Sequence, residues 1–143
     1  MKKNVAVIGS SGAIGNAVSK ILLDDESVQS VYNFSRSTSP NTSDKENKIY
    51  IDIENEESIK DAVEKIPQDI RFDLIFVATG ILHNDNDVYP EKSIRDISVE
   101  RFKKVLMINT VGPALVGKYF IPFLKTNPST CCFWSSSFSC WIS

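Results

Sequence analysis

Gly9, Gly12 and Gly15 are the residues whose type and spacing point most directly to chemistry. They sit in Gly9-Ser10-Ser11-Gly12-Ala13-Ile14-Gly15, a GxxGxxG run placed directly behind the apolar residues Val5, Ala6, Val7 and Ile8. Apolar residues then recur at helical spacing through Ile14, Val18, Ile21 and Leu22. A strand, a glycine turn and a helix in that order aim backbone N–H groups and a helix N-terminus at a phosphate. Glycine is required where the chain turns tightly, where a pyrophosphate nears the backbone and where helix packs on strand. Gly9, Ser10, Ser11, Gly12, Ile14 and Gly15 are therefore assigned to a nucleotide-binding loop. The flanking strand and helix, more than the glycines, separate this loop from a structural turn.

Arg36 carries the next signal. Residues 28–34 read as a second strand ending in Ser35-Arg36-Ser37, with no acid at its end. Dinucleotide folds that prefer NAD place a carboxylate there for the ribose hydroxyls, whereas an arginine suits the 2′-phosphate of NADP. A guanidinium makes charge-assisted, bidentate bonds to phosphate. NADP(H) is thus the expected cofactor, ahead of NAD. Asp52 closes a third short strand at 48–51, where an acid serves equally as a cofactor ligand or as a turn residue. Asn109 falls inside a helical stretch, a position of mediocre propensity for asparagine. Pro113, one turn on, has no N–H, so the Asn109 carbonyl loses its helical partner and becomes available to a water. His83 is the only histidine and reads as a loop residue. Asp85, Asp87 and Glu91 in the same loop read as solvated, and no metal site is expected.

These residues need an alternating scaffold. Helices are expected at 14–23 and 56–66, the latter closed by Pro67, and an apolar strand at 72–78. A polar loop follows to about residue 97, then a long helix over 98–124 with Ser98 as N-cap, and an apolar stretch beginning near Thr130. Alternation of this kind predicts an α/β fold, a Rossmann-type doubly wound parallel sheet of order 3-2-1-4-5 that stops after the fifth strand. Ligands in such sheets bind beyond the C-terminal strand ends, at the switch point. The 98–124 helix is apolar on more than one face, which predicts a second partner for it, most simply another copy of the chain.

Over residues 5–124 the chain resembles the short-chain dehydrogenase/reductase family. The glycine loop matches its cofactor loop. Asp52-Ile53 matches the acidic-aliphatic pair at the adenine ring, and Ala78-Thr79-Gly80 stands in the place of the family's Asn-Ala-Gly segment. Asn109, within Met107-Ile108-Asn109-Thr110-Val111-Gly112, is similar to the helix asparagine of that family, which anchors the water of a proton relay. The 81–98 loop, with Pro90-Glu91-Lys92-Ser93, resembles that of the C-factor-like reductases. The resemblance implies hydride transfer between a nicotinamide and a carbonyl or alcohol carbon of a small molecule. It also implies cofactor contacts for Ile53, Ala78, Thr79 and Gly80, and a catalytic serine for which Ser136 is the best-aligned candidate.

The same resemblance implies a tyrosine followed at the fourth residue by a lysine, since a phenol with a pKa near 10 needs a neighbouring cation to act near neutrality. Tyr32, Tyr50, Tyr89 and Tyr119 are followed there by Arg36, Glu54, Ser93 and Phe123. Two readings stand. The chain is the N-terminal portion of a reductase, with a frame shift near Ser129, or it is a short NADP(H)-binding regulatory protein. Cys131, Cys132, Cys140, Trp134 and Trp141 make the end of the chain compositionally foreign, so the expected division is a Rossmann domain over 1–128 and an atypical tail over 129–143.

The whole-chain figures set outer bounds. At 143 residues with 42% hydrophobic and 24% charged residues, one globular domain is expected. A net charge of −2 without a basic cluster argues against a nucleic-acid surface. Three cysteines without CxxC spacing give neither a metal site nor a disulfide framework. Lys2 and Lys3 precede an apolar run, but Gly9-Ser10-Ser11 interrupts it too early for a signal peptide. No stretch is expected to reach membrane-spanning length, and a cytoplasmic location is expected.

Overall fold

The apolar run behind the glycine loop is the middle of the sheet. In the computed structural model, which describes residues 2–37, 39–81, 93–126 and 132–135, it forms β1 (Lys3–Ile8). On one side β1 pairs in parallel with β2 (Val28–Ser35), which pairs with β3 (Glu46–Tyr50). On the other it pairs with β4 (Leu74–Val77), which pairs with β5 (Cys132–Ser135). All pairs are parallel and the order is β3-β2-β1-β4-β5, as the alternation predicts.

Side chains alternate between the two faces of β1. Val5 and Val7 pack with Val28 and Val31 beneath α1 (Ala13–Asp24), where Val18, Leu22 and Leu23 cover them. Ala6 and Ile8 join Phe34, Ile75 and Val77 under α2 (Glu56–Glu64) and α4 (Gly112–Phe120). Phe34 meets Phe120 edge-on with ring centroids 5.0 Å apart. β1 is buried on both faces because helices cover both, which is why its sequence is a continuous apolar run.

Four expectations need correction. The stripe expected on α1 included Ile14 and Ile21, and both are exposed. Gly15 must press against the glycine loop, so the inward face runs through Gly15 and Ser19, and Ile14 and Ile21 lie off it. β3 begins at Glu46, ahead of the expected Lys48, because Glu46 pairs with Val31. The 98–124 helix is not uniform: α3 (Val99–Leu106), capped by Ser98, leads into a π turn over Met107–Val111, then α4 and a 3₁₀ turn at Ile121–Phe123. In the π turn the Gly112 N–H reaches back to the Met107 carbonyl, which widens the helix just ahead of Pro113. This Val99–Phe123 helix is also long and apolar enough to cross a membrane, contrary to the expectation that no stretch is. Its Val116 and Phe120 are completely buried in the core under the sheet.

Candidate functional site

Because the strands are parallel, their C-terminal ends share one edge. Ile8 lies beside Phe34 and Val77, Ser35 beside Tyr50, and Val77 beside Ser135. The strand order reverses between β1 and β4, and a cavity of about 220 Å³ opens beyond that point.

The glycine loop forms its floor. Gly9 has φ of +87°, a conformation that side chains rarely adopt, and a Cβ there would lie 3.0 Å from the Ala78 carbonyl group. A Cβ on Gly15 would lie 2.2 Å from the Gly9 carbonyl oxygen. The two glycines thus let the loop fold flat against β4 while α1 closes behind it. Gly12 is the N-cap of α1 but offers no side-chain acceptor, and the first turn carries no acid. α2 is finished differently: Asn55 accepts from the Glu57 and Ser58 N–H groups, and Glu56 and Glu57 face the helix dipole. The first turn of α1 has no such partner from the protein's own side chains, the condition under which a helix N-terminus can take an anion.

The remaining lining residues come from three strand ends. Arg36 stands beyond β2 with its side chain 73% exposed, and its Nη1 lies 3.9 Å from Glu54 Oε2. Asp52 lines the cavity and also accepts from the Glu54 N–H at 3.1 Å. Its two alternative readings, ligand and turn residue, are therefore compatible. Ile53 lies beside it, its side chain covered by Gly112 of α4, where a Cβ would come within 2.9 Å. Ala78, Thr79 and Gly80 form the wall beyond β4. Among the described residues, backbone, one cation, two carboxylates and apolar side chains thus line a single cavity, a mixture that suits a phosphate-bearing, partly apolar ligand.

Asn109 takes part indirectly. Its Oδ1 accepts from the Ile81 N–H at 2.7 Å and its Nδ2 donates to the Ile81 carbonyl at 2.8 Å. The amide therefore pins the segment after β4 to the π turn, with Ile81 and Ile108 both on the cavity wall. Ser10 turns away: its hydroxyl donates to the Phe34 carbonyl, and it lines a neighbouring polar cavity instead. Ile14 is exposed and Gly15 buried behind the loop. Ser136, His83, Asp85, Asp87 and Glu91 lie outside the described residues. No cluster of metal-ligating side chains occurs among the described residues.

Beside the site, a buried carboxylate organises the β2–β3 connection. Glu46 accepts from the Thr42 N–H and hydroxyl, both at 2.7 Å, and from Asn33 Nδ2 at 2.8 Å, with Lys48 Nζ 3.5 Å away. Burial pushes its pKa up, but the Thr42 and Asn33 hydrogen bonds and the Lys48 charge outweigh it, and the carboxyl titrates below the ordinary glutamate value. Lys48 in turn donates to Ser39 Oγ and the Pro40 carbonyl, both at 2.9 Å. The segment behind Arg36 is thereby tied to β3.

Sequence reasoning missed Ser35, Ile51, Glu54, Ile81 and Ile108 as lining residues. Ser35, Ile51 and Glu54 were discoverable, since they flank Arg36 and the Asp52 turn; Ile81 and Ile108 carry no local signal.

Neither a family sequence profile nor a curated protein matches the chain. Solved structures do. A short chain dehydrogenase family protein from Francisella tularensis is similar with a TM-score of 0.72 and 29% identity, over 87% of this chain and 48% of that one. The NADPH-bound carbonyl reductase from chicken fatty liver is similar with a TM-score of 0.74 and 18% identity, over 90% and 50%. A Burkholderia multivorans protein described as a short-chain dehydrogenase/reductase, with NADP bound, gives 0.73 and 19%, over 87% and 55%. This chain spans about half the length of these three proteins.

Proposed function

We infer, from a chain with the fold of the short-chain dehydrogenases and reductases, that it binds NADP(H) as the cofactor-holding portion of a carbonyl or alcohol oxidoreductase. The observation that carries this reading is the convergence of Gly9, Gly12, Arg36, Asp52 and Thr79 on one cavity at the switch point. The Gly9, Ser10 and Gly12 N–H groups are taken up by the Phe34 and Gly9 carbonyls, so the uncapped first turn of α1 would hold the pyrophosphate, Asp52 and Ile53 would meet the adenine, and Arg36 would meet the 2′-phosphate. NADP-bound and NADPH-bound neighbours support the choice of a nicotinamide cofactor.

A bound nicotinamide supplies the hydride in such a reaction. The chain's own part is to orient the cofactor, and Asn109 contributes by holding Ile81 against the site. The carbonyl oxygen must also be protonated, and the Tyr-x-x-x-Lys pair that does so in the family is absent from these 143 residues. On this reading these 143 residues supply the cofactor-binding part of the reaction and not its proton donor. The division into a domain over 1–128 and a separate tail, a small-molecule carbonyl or alcohol substrate, self-association and a cytoplasmic location belong to the same proposal. A non-catalytic NADP(H)-binding regulator is the second reading, favoured by that missing pair.

Titration with NADPH and NADH, followed by protein fluorescence, tests the proposal. NADPH binding at least tenfold tighter than NADH supports it, and equal affinities overturn it.

A further inference from the structure

Glu54 is not needed for the loop, the adenine contacts or the 2′-phosphate contact described above. Yet it stands on the cavity rim with its carboxylate 3.9 Å from the Arg36 guanidinium. Among the described residues that line the cavity, Arg36 is the one cation, and Asp52 and Glu54 are both carboxylates. The Asp52 turn, closed by the Glu54 N–H on Asp52 Oδ1, sets the two acids on the same side of the site. We propose that Glu54 is a specificity-determining residue that opposes Arg36, weakening recognition of a 2′-phosphate while leaving recognition of plain adenosine untouched. The inference rests on the assignment of the 2′-phosphate to Arg36.

The reasoning is electrostatic. The Arg36–Glu54 pair is long and largely solvated, so it contributes little to stability. Its consequence lies in competition. A phosphate arriving at Arg36 must displace the Glu54 carboxylate or sit beside it, and like charges at such short range repel. A ribose with a free 2′-hydroxyl brings no charge and meets no such opposition. Glu54 therefore moderates the preference that Arg36 creates.

Calorimetric titration at low ionic strength with 2′,5′-ADP and 5′-AMP separates the terms without any turnover. Glu54→Gln keeps the side-chain length and removes the charge. It is expected to bind 2′,5′-ADP about 3- to 10-fold tighter than the parent, with 5′-AMP unchanged within about twofold, and the gain is expected to shrink as salt is raised. Glu57→Gln removes the same charge from the Lys60 pair on α2, outside the cavity, and is expected to leave both ligands unchanged. Unchanged or weaker 2′,5′-ADP binding by Glu54→Gln overturns the inference, as does an equal gain for 5′-AMP. If Arg36→Ala leaves 2′,5′-ADP affinity unchanged, the Arg36 assignment fails and the inference with it. Failure of both the parent and Glu54→Gln to bind either ligand overturns the inference together with the cofactor proposal.

Discussion

Arg36, proposed above to recognise the 2′-phosphate, does little in the packing of the chain. Its side chain is mostly exposed and its ion pair with Glu54 is long, so removing it is expected to leave stability nearly unchanged. In the proposed role it would make a charge-assisted bond to phosphate, about 1.5–3 kcal/mol, so Arg36→Ala is expected to weaken NADPH binding about 10- to 150-fold and NADH binding hardly at all. Paired titrations check this. Glu46 is the opposite case, a charge buried for structural reasons. Its pKa is depressed below the ordinary 4.5, so its contribution to stability is complete above that value and is lost as pH falls through the depressed one. Urea unfolding midpoints measured from about pH 6 down to pH 3 are expected to fall for the parent and to fall less for Glu46→Gln. Glu46→Ala removes the acceptor of the Thr42 N–H and hydroxyl, one of two acceptors of Asn33 Nδ2 and the charge beside Lys48, and is expected to cost about 3 kcal/mol in the same assay.

The glycine loop and the π turn act as units. A Cβ at Gly15 collides with the Gly9 carbonyl, backbone against backbone, so Gly15→Ala must push α1 off the loop. NADPH binding is expected to drop by at least tenfold, read by titration, with the fold retained by circular dichroism. The Asn109 amide makes two hydrogen bonds to Ile81, and deleting them is expected to cost about 1–3 kcal/mol together. Asn109→Ala is therefore expected to speed hydrogen exchange at the Ile81 amide by at least tenfold while leaving amides of β1 unaffected. Equal acceleration in β1 would show global destabilisation instead.

For the whole molecule, α3 and the π turn present Val99, Phe102, Leu106 and Val111 to solvent, whereas α4 buries Val116 and Phe120 beneath the sheet. Self-association through this exposed face is expected, with sedimentation showing a dimer that Phe102→Glu converts to monomer. No turnover of simple aldehydes or ketones is expected from the 143-residue chain, because positioned acid–base groups typically supply about 10²–10⁴-fold in rate. NADPH oxidation above a no-protein control would contradict this.

What the sequence determined by itself was local and periodic. The run from Val5 to Ile8 acts by its apolar side chains, the glycines behind it by their backbone and Ser98 by its own hydroxyl, so strand, loop and cap could be read from residue type. Strand order followed as well, since parallel strands joined by helices allow few arrangements. Contacts between distant segments were decided only in the tertiary structure. Nothing near Asn109 announces that its amide will grip Ile81, and nothing near Arg36 places Glu54 beside it, because those meetings depend on where β3 and β4 end along the shared edge. The exposure of Ile14 and Ile21 has the same origin: periodicity marks an apolar face, but the close approach of Gly15 to Gly9 chooses which face turns inward.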